Sequence, residues 1–281
     1  MYLEKTLAKR NLKTLFDLSG KVALVTGGCG IQGQRITRGL AAHGADVAVI
    51  DLHSQGTDDL AKTIADEYGV STKGIACDVS DPVSVGAMVG TVTDALGDID
   101  VLHNNAASKT DDPVDLFKPF EEFDFDVWRQ VMSVNIDGMF LVAQAVGKQM
   151  IKQGGGGSII QTASTYGVVG PDFGIYEGSE YKGYEITTPA AYSASKGAVI
   201  ALTKYLATYW GAQSIRVNTL VPGGIESGQN ETFKKNYGAK TPLGRMAEAD
   251  EMVGAVVFLA SDASSYMTGQ MLVVDGGWTA W

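Results

Sequence analysis

From residue 21 onward, short unbroken apolar runs alternate with longer stretches in which apolar side chains recur every three or four positions. The first pattern fits a strand buried on both faces and the second a helix with one face on a core. Val22-Ala23-Leu24-Val25 predicts a strand and Gln32 to His43 a helix. Asp46 to Ile50, Gly74 to Cys77, Ile99 to His103, Ser158 to Thr162, Ile215 to Leu220 and Gln270 to Val274 predict further strands. Between them, Asp58 to Tyr68, Pro82 to Leu96, Phe125 to Gln153, Pro189 to Gly211 and Glu248 to Leu259 predict helices, the third softened at Gly138 and Gly147. Strict alternation of this kind predicts an α/β fold: a doubly wound parallel sheet of about seven strands with helices on both faces. Ligands of such sheets sit at the carboxyl ends of the strands.

Composition narrows the function. The chain has 281 residues, 45% apolar and 19% charged, which suits one α/β domain over 21–281 behind an N-terminal arm over 1–20. In the arm, Leu3, Leu7, Leu12, Leu15 and Phe16 alternate with basic residues, so it is expected to pack on the domain or on a second subunit. No apolar run is long enough to span a membrane, and no secretory h-region opens the chain, so no membrane partner is expected. Two cysteines, Cys29 and Cys77, point to a reducing cytoplasm rather than a disulfide framework. The net charge of −10 argues against nucleic acid as a partner. A phosphate held by backbone amides stays possible, because such a site is local.

Thr26-Gly27-Gly28-Cys29-Gly30-Ile31-Gln32-Gly33 joins the first strand to the first helix. Glycines there permit a tight turn and close approach to a pyrophosphate, with Gly27, Gly30, Ile31 and Gly33 as the contact positions. Asp51 ends the second strand, where a carboxylate accepts from the ribose hydroxyls of NAD and repels the 2′-phosphate of NADP. Asp78-Val79 after the third strand is placed for the adenine, and Asn105-Ala106 after the fourth lets backbone lie near the cofactor.

Tyr192 and Lys196 stand four residues apart on a predicted helix, hence on one face. A phenol is a poor base at neutral pH until an ammonium favours its ionised form. With the glycine turn, this pair resembles the short-chain dehydrogenase/reductase family in its compact form, over about residues 18–278. Val134-Asn135, Ser164, Arg216-Val217-Asn218, Pro222-Gly223 and Val274-Asp275-Gly276-Gly277 extend the resemblance. It implies a Rossmann-type fold and NAD-linked hydride transfer at a secondary alcohol, with no metal. Tyr192 is then the acid/base, Lys196 its activator and ribose ligand, Ser164 the substrate-oxygen partner and Asn135 the holder of a relay water. Pro222, Gly223 and Ile225 join the cofactor contacts. His43, His53 and His103 are expected at strand edges or on the surface.

Three departures stand out. Ile31 occupies a usual glycine position, Ala107 another, and Ser164 and Tyr192 lie 28 residues apart, so a segment within 171–188 is inserted. The insertion supplies Phe173, Tyr176, Glu177 and Tyr184, aromatic faces and a carboxylate suited to a polyhydroxylated ligand; a structural or intersubunit loop is its alternative. The loop over 224–241 adds Gln229 and Asn230 as substrate contacts, and Lys234 and Lys235 as partners for an anionic substituent or as solvated charge. Local resemblances suggest surface-sugar and polyol pathways. Competing readings are a carbonyl reductase of acyl or steroid-like substrates using NAD(P)H and a non-catalytic NAD-binding regulator. The family implies a homo-oligomer, tetramer or dimer, through the two long helices. Trp278 and Trp281 are expected to bury at a subunit interface.

Overall fold

The computed structural model describes residues 11–107 and 113–281. Leu3, Leu7 and the rest of residues 1–10 lie outside them. Of the arm's described part, Leu18 is buried in the core while Leu12 and Phe16 are exposed.

Seven parallel strands form one sheet. They are β1 (Val22–Thr26), β2 (Asp46–Asp51), β3 (Thr72–Ala76), β4 (Val101–Asn104), β5 (Gly157–Thr162), β8 (Ile215–Pro222) and β9 (Met271–Val274), the numbers 6 and 7 belonging to a separate hairpin. Their spatial order is β3-β2-β1-β4-β5-β8-β9. The chain therefore winds outward from β1 to β3, crosses back, and winds outward again from β4, which puts the topological switch point between β1 and β4. Register is set by alternation: Val22 and Leu24 of β1 join one core cluster, and Ala23 and Val25 join the other. The first cluster is closed by α3 (Pro82–Leu96), α5 (Met139–Gln153) and α6 (Ala190–Trp210). The second is closed by α1 (Ile31–Ala42), α2 (Ser54–Tyr68) and α8 (Val253–Ala260). Both faces of β1 and β2 are dry, which explains why these strands are apolar without interruption.

Local signals set the helix ends. Asp81 caps α3 by accepting the Val83 N–H, with Pro82 at the first helical position. Gly154 ends α5 in the left-handed region at φ 76°. The predicted helix over 125–153 divides into α4 (Phe125–Met132), a π-helical turn (Ser133–Gly138) and α5. Gly147 does not soften it; a Cβ there would lie 2.4 Å from the Trp210 ring, so the glycine admits α6. The stretch predicted as a helix from Glu248 begins instead as a 3₁₀ turn over Ala249–Met252.

Two elements had no counterpart in the apolar pattern. The insertion folds into a 3₁₀ turn (Phe173–Tyr176) and a two-stranded hairpin, β6 (Glu180–Tyr181) with β7 (Tyr184–Glu185). Its tip, Lys182-Gly183, has φ 53° and 80°, the mirror-image turn that matches strand twist. The loop after β8 contains α7 (Glu231–Lys240). The insertion docks on α7: Asn236 Nδ2 donates to the carbonyls of Ile175 (3.3 Å) and Glu177 (3.0 Å), and Lys240 pairs with Asp172 at 2.8 Å.

The expectation for Trp278 is corrected. It is buried within its own chain, stacked on Tyr237 at 4.6 Å between centroids and edge-on to Tyr166. Trp281 remains 79% exposed.

Candidate active site

The glycine turn leaves β1 at the switch point. Gly27 has φ 65°, and a Cβ on it would meet Ala106 Cα at 3.0 Å. A Cβ on Gly33 would lie 2.0 Å from the Gly27 carbonyl oxygen, so α1 sits directly against the turn. Thr26 ties the turn to β4: its hydroxyl donates to Asn104 Oδ1 (3.2 Å) and accepts from the amides of Asn105 (2.9 Å) and Ala106 (3.1 Å). Gly30 precedes α1 and offers no side-chain cap, which leaves the free amides of its first turn for a ligand. Ile31 opens α1 with its side chain half exposed. Gln32, one residue on, lines the cleft and carries a buried Nε2 without a partner.

Asp51 closes the cofactor end of β2. Its Oδ2 accepts the Cys29 amide at 2.9 Å and its Oδ1 the Leu52 amide at 2.8 Å. Burial and the Asp51 charge push the Cys29 thiol up to about 11. Asp78 is exposed and accepts from Ser80, while Val79 is buried against Gly138. The uncapped helix, the close-packed Gly27, Gly28 and Gly33 of the turn and the orphaned Gln32 amide together fit a dinucleotide phosphate and its neighbouring groups.

A cleft of about 280 Å³ opens beside the turn, lined among others by Asn105, Ala107, Ser164, Tyr192, Lys196, Pro222, Gly223 and Ile225. Ser164 follows β5 and is nearly buried; its Oγ accepts the Tyr166 amide at 3.2 Å. Tyr192 and Lys196 lie on the first turns of α6, with the ammonium 5.7 Å from the phenol ring centre. Lys196 is 2% exposed, and its Nζ donates to the Thr162 carbonyl at 2.9 Å. Asn135 is buried in the π-helical turn, and its Nδ2 donates to Ser195 Oγ at 3.2 Å, which fixes that turn against α6. His103 is fully buried, not at an edge or on the surface: it bonds Thr162 Oγ1 at 2.9 Å, and burial holds it neutral with a pKa near 3.

Electrostatics in this cleft oppose charge. Burial raises the Tyr192 phenol above its ordinary value, a hydrogen bond from Ser164 pulls it down, and Tyr176 adds to the rise. Burial lowers the Lys196 ammonium from 10.5 to about 8. Below pH 8 that lysine is charged in both folded and unfolded chains, so burial penalises only the folded one. Between pH 8 and 10.5 the folded chain releases its proton first and stability rises; above that the penalty is gone. Lys196→Met is therefore expected to stabilise the ligand-free protein near pH 7 by about 2 kcal/mol, after allowance for the lost bond to Thr162. The gain should shrink across pH 8 to 10.5 in denaturant titrations; a gain independent of pH would remove the charge-burial explanation.

The substrate candidates separate. Tyr176 and Gln229 line the cleft. Phe173 is 60% exposed and lines a neighbouring apolar cavity with Phe120 and Pro189, while Tyr184 is 55% exposed on the hairpin. Glu177 accepts the Asn236 side chain through its backbone and does not line the cleft. Asn230 caps α7, its Oδ1 accepting the Phe233 amide at 2.8 Å. Lys234 is committed to Glu226 (3.4 Å) and Glu231 (3.3 Å), so it is not a spare cation. Phe233 and Tyr237, on the loop after β8 that the sequence places at the site, also line the cleft. Gln32, Tyr166 and Met246 line it without a sequence signal of their own; Tyr166, two residues past Ser164, and Gln32, within the glycine turn, stand at positions that point to the site.

The geometry matches known proteins over nearly the whole chain. Residues 29–279 match the family model described as Enoyl-(Acyl carrier protein) reductase. D-threitol dehydrogenase of Mycolicibacterium smegmatis is 37% identical, over 94% of this chain and 95% of the relative. The chain belongs to the short-chain dehydrogenase/reductase family. Two solved members superpose closely. Gluconate 5-dehydrogenase from Burkholderia cenocepacia, in complex with NADP and tartrate, has a TM-score of 0.85 at 34% identity, covering 96% of this chain and 100% of that one. NAD⁺-bound xylitol dehydrogenase has a TM-score of 0.80 at 32% identity, covering 92% and 99%. As a short-chain dehydrogenase/reductase, the chain binds a nicotinamide dinucleotide. Among the described residues, no group of three or more His, Cys, Asp or Glu is arranged to hold a metal, and no helix is long and apolar enough to cross a membrane.

Proposed function

We propose that the chain is an NAD-dependent dehydrogenase that oxidises a secondary alcohol of a sugar, polyol or sugar-derived substrate to the ketone, and reverses that reaction. The carrying observation is that Ser164, Tyr192 and Lys196 meet in one cleft that opens onto the glycine turn. Relatives named for threitol, gluconate and xylitol support the substrate class.

When bound, NAD⁺ would supply the acceptor for the hydride that leaves the carbinol carbon. Tyr192 takes the hydroxyl proton. Ser164 donates to the substrate oxygen, which holds the reacting carbon in place. Lys196 holds positive charge beside the phenol and favours its ionised form. Asn135 anchors the turn behind them and holds the water through which the proton reaches solvent. Gly27, Gly30, Ile31 and Gly33 would carry the pyrophosphate; Asp78, Val79, Asn105, Ala106, Pro222, Gly223 and Ile225 would border the rest of the dinucleotide.

Asp51 supports NAD over NADP. Its carboxylate ends β2, where the ribose hydroxyls of the adenosine half are expected, and its oxygens accept the amides of Cys29 in the turn and of Leu52 beside it. A phosphate brought there meets like charge. Initial rates with a polyol panel should favour NAD⁺ over NADP⁺ by about 100-fold in kcat/KM, worth about 2.7 kcal/mol. Asp51→Ser should narrow that ratio at least about tenfold. Preference for NADP⁺ in the native protein would refute the assignment.

Self-association belongs to the same reading. Its support is the exposure of Phe140 and Ile151 on α5 and of Tyr205 and Tyr209 on α6.

A further inference from the structure

Beyond the reacting atoms, the cleft is lined by phenols and amides and by little charge. Among the described residues lining it, Lys196 is the single cation, and its ammonium is held by the Thr162 carbonyl. Among the described residues, no arginine, aspartate or glutamate lines it. Tyr166 and Tyr176 set their hydroxyls 3.4 Å apart, and Gln229 adds an amide.

Carboxylates outnumber lysines in the ion pairs next in sequence to the lining residues Tyr176, Ile225 and Phe233 and close to Tyr237. Lys234 faces both Glu226 and Glu231. Lys240 pairs with Asp172, and Glu177 is close enough to favour its charged form further. Each lysine therefore meets two carboxylates, so each cluster keeps one negative charge. The chain as a whole carries −10.

We propose that the substrate is an uncharged short polyol or its ketose, and that the cleft discriminates against the sugar acid of the same skeleton. This rests on the dehydrogenase reading above. A phenol both donates and accepts, as a substrate hydroxyl does, whereas a carboxylate only accepts. Moving a carboxylate past these clusters meets repulsion, and desolvating it with no free cation among the described lining residues is costly. The volume of about 280 Å³ sits at the small end for ligand pockets and is shared with the reactive end of the cofactor, which favours a short substrate.

The test uses the full chain with NAD⁺, reading NADH absorbance, and compares D-threitol with D-threonate and galactitol with galactonate. Each pair differs only in one terminal hydroxymethyl exchanged for a carboxylate. The polyol should lead by about 100-fold in kcat/KM, and the lead should narrow as KCl is raised. Tyr176→Phe should lose about tenfold on threitol, mainly through KM, and clearly less on 2-butanol, which has no distal hydroxyl to lose. Equal or better turnover of the acids overturns the inference while leaving the dehydrogenase reading intact. So does a Tyr176→Phe loss of the same size on threitol and 2-butanol, which would mark a merely structural role. Failure to oxidise any alcohol with NAD⁺ or NADP⁺ overturns the dehydrogenase reading, and the inference with it.

Discussion

Tyr192→Phe is expected to lower kcat/KM by about a thousandfold while leaving NAD⁺ affinity and thermal stability near those of the native protein. The substitution removes one oxygen from a half-buried ring that keeps its other contacts on α6. What disappears is the group that exchanges a proton with the substrate hydroxyl. Ser164 loses a hydrogen-bond partner but keeps the Tyr166 amide. The fall should therefore appear in turnover, with cofactor titrations by fluorescence largely unchanged. Native-like turnover by the phenylalanine protein would assign the acid/base role elsewhere. Turnover and NAD⁺ binding lost together would mean that Tyr192 chiefly shapes the cofactor site.

Gly33→Ala should do the reverse, damaging the cofactor site while the proton-transfer residues stay in place. The added carbon would stand 2.0 Å from the Gly27 carbonyl oxygen and 2.9 Å from Gly28 Cα. Those neighbours are backbone, so no rotamer change relieves the contact. Either α1 retreats from the turn or the turn opens, and the free amides at the start of α1 no longer converge. We expect NAD⁺ affinity to fall by at least about 100-fold and stability by about 3 kcal/mol, within the range for overpacked positions. Calorimetry of NAD⁺ binding beside a thermal melt checks both. Binding within a few-fold of native would show that the turn tolerates a wider spacing than its geometry implies. A glycine substitution elsewhere on the chain, Gly86→Ala, has nothing within 4 Å of the new carbon and serves as the control.

These two residues are legible in the sequence, because their signals are local. A turn that must pass without side chains shows as glycines at fixed offsets after an apolar run. A tyrosine and a lysine one helical turn apart need only the helix to meet. The sheet was legible for a related reason, since strands dry on both faces leave no polar position in the run. Asp51 could be read from its place at the end of β2.

The substrate wall was not legible in the same way. Phe173, Tyr176, Glu177 and Tyr184 lie within twelve residues of one another and look equivalent as sequence. A single 3₁₀ turn and a positive-φ hairpin send Tyr176 inward and turn Phe173 and Tyr184 outward. In the sequence Trp278 looks like an apolar surface in search of a second subunit, but its partner is Tyr237, more than forty residues earlier in the chain. His103 gave no periodic signal for burial at the sheet centre, because a polar residue at the end of a strand usually faces water. The misses at Trp278 and His103 depend on contacts between segments far apart in sequence, which neither spacing nor composition encodes.

The bonds between the insertion and α7 bear on how this protein can be re-engineered. The carbonyls of Ile175 and Glu177 rely on Asn236, and the carboxylate of Asp172 relies on Lys240. Ser179 shares Asn230 with the cap of that helix. Transplanting 171–188 alone into a relative would strand these groups, and transplanting 230–240 alone would strand their partners. The two segments form one transferable cassette, and a chimera that exchanges them together keeps every one of these bonds.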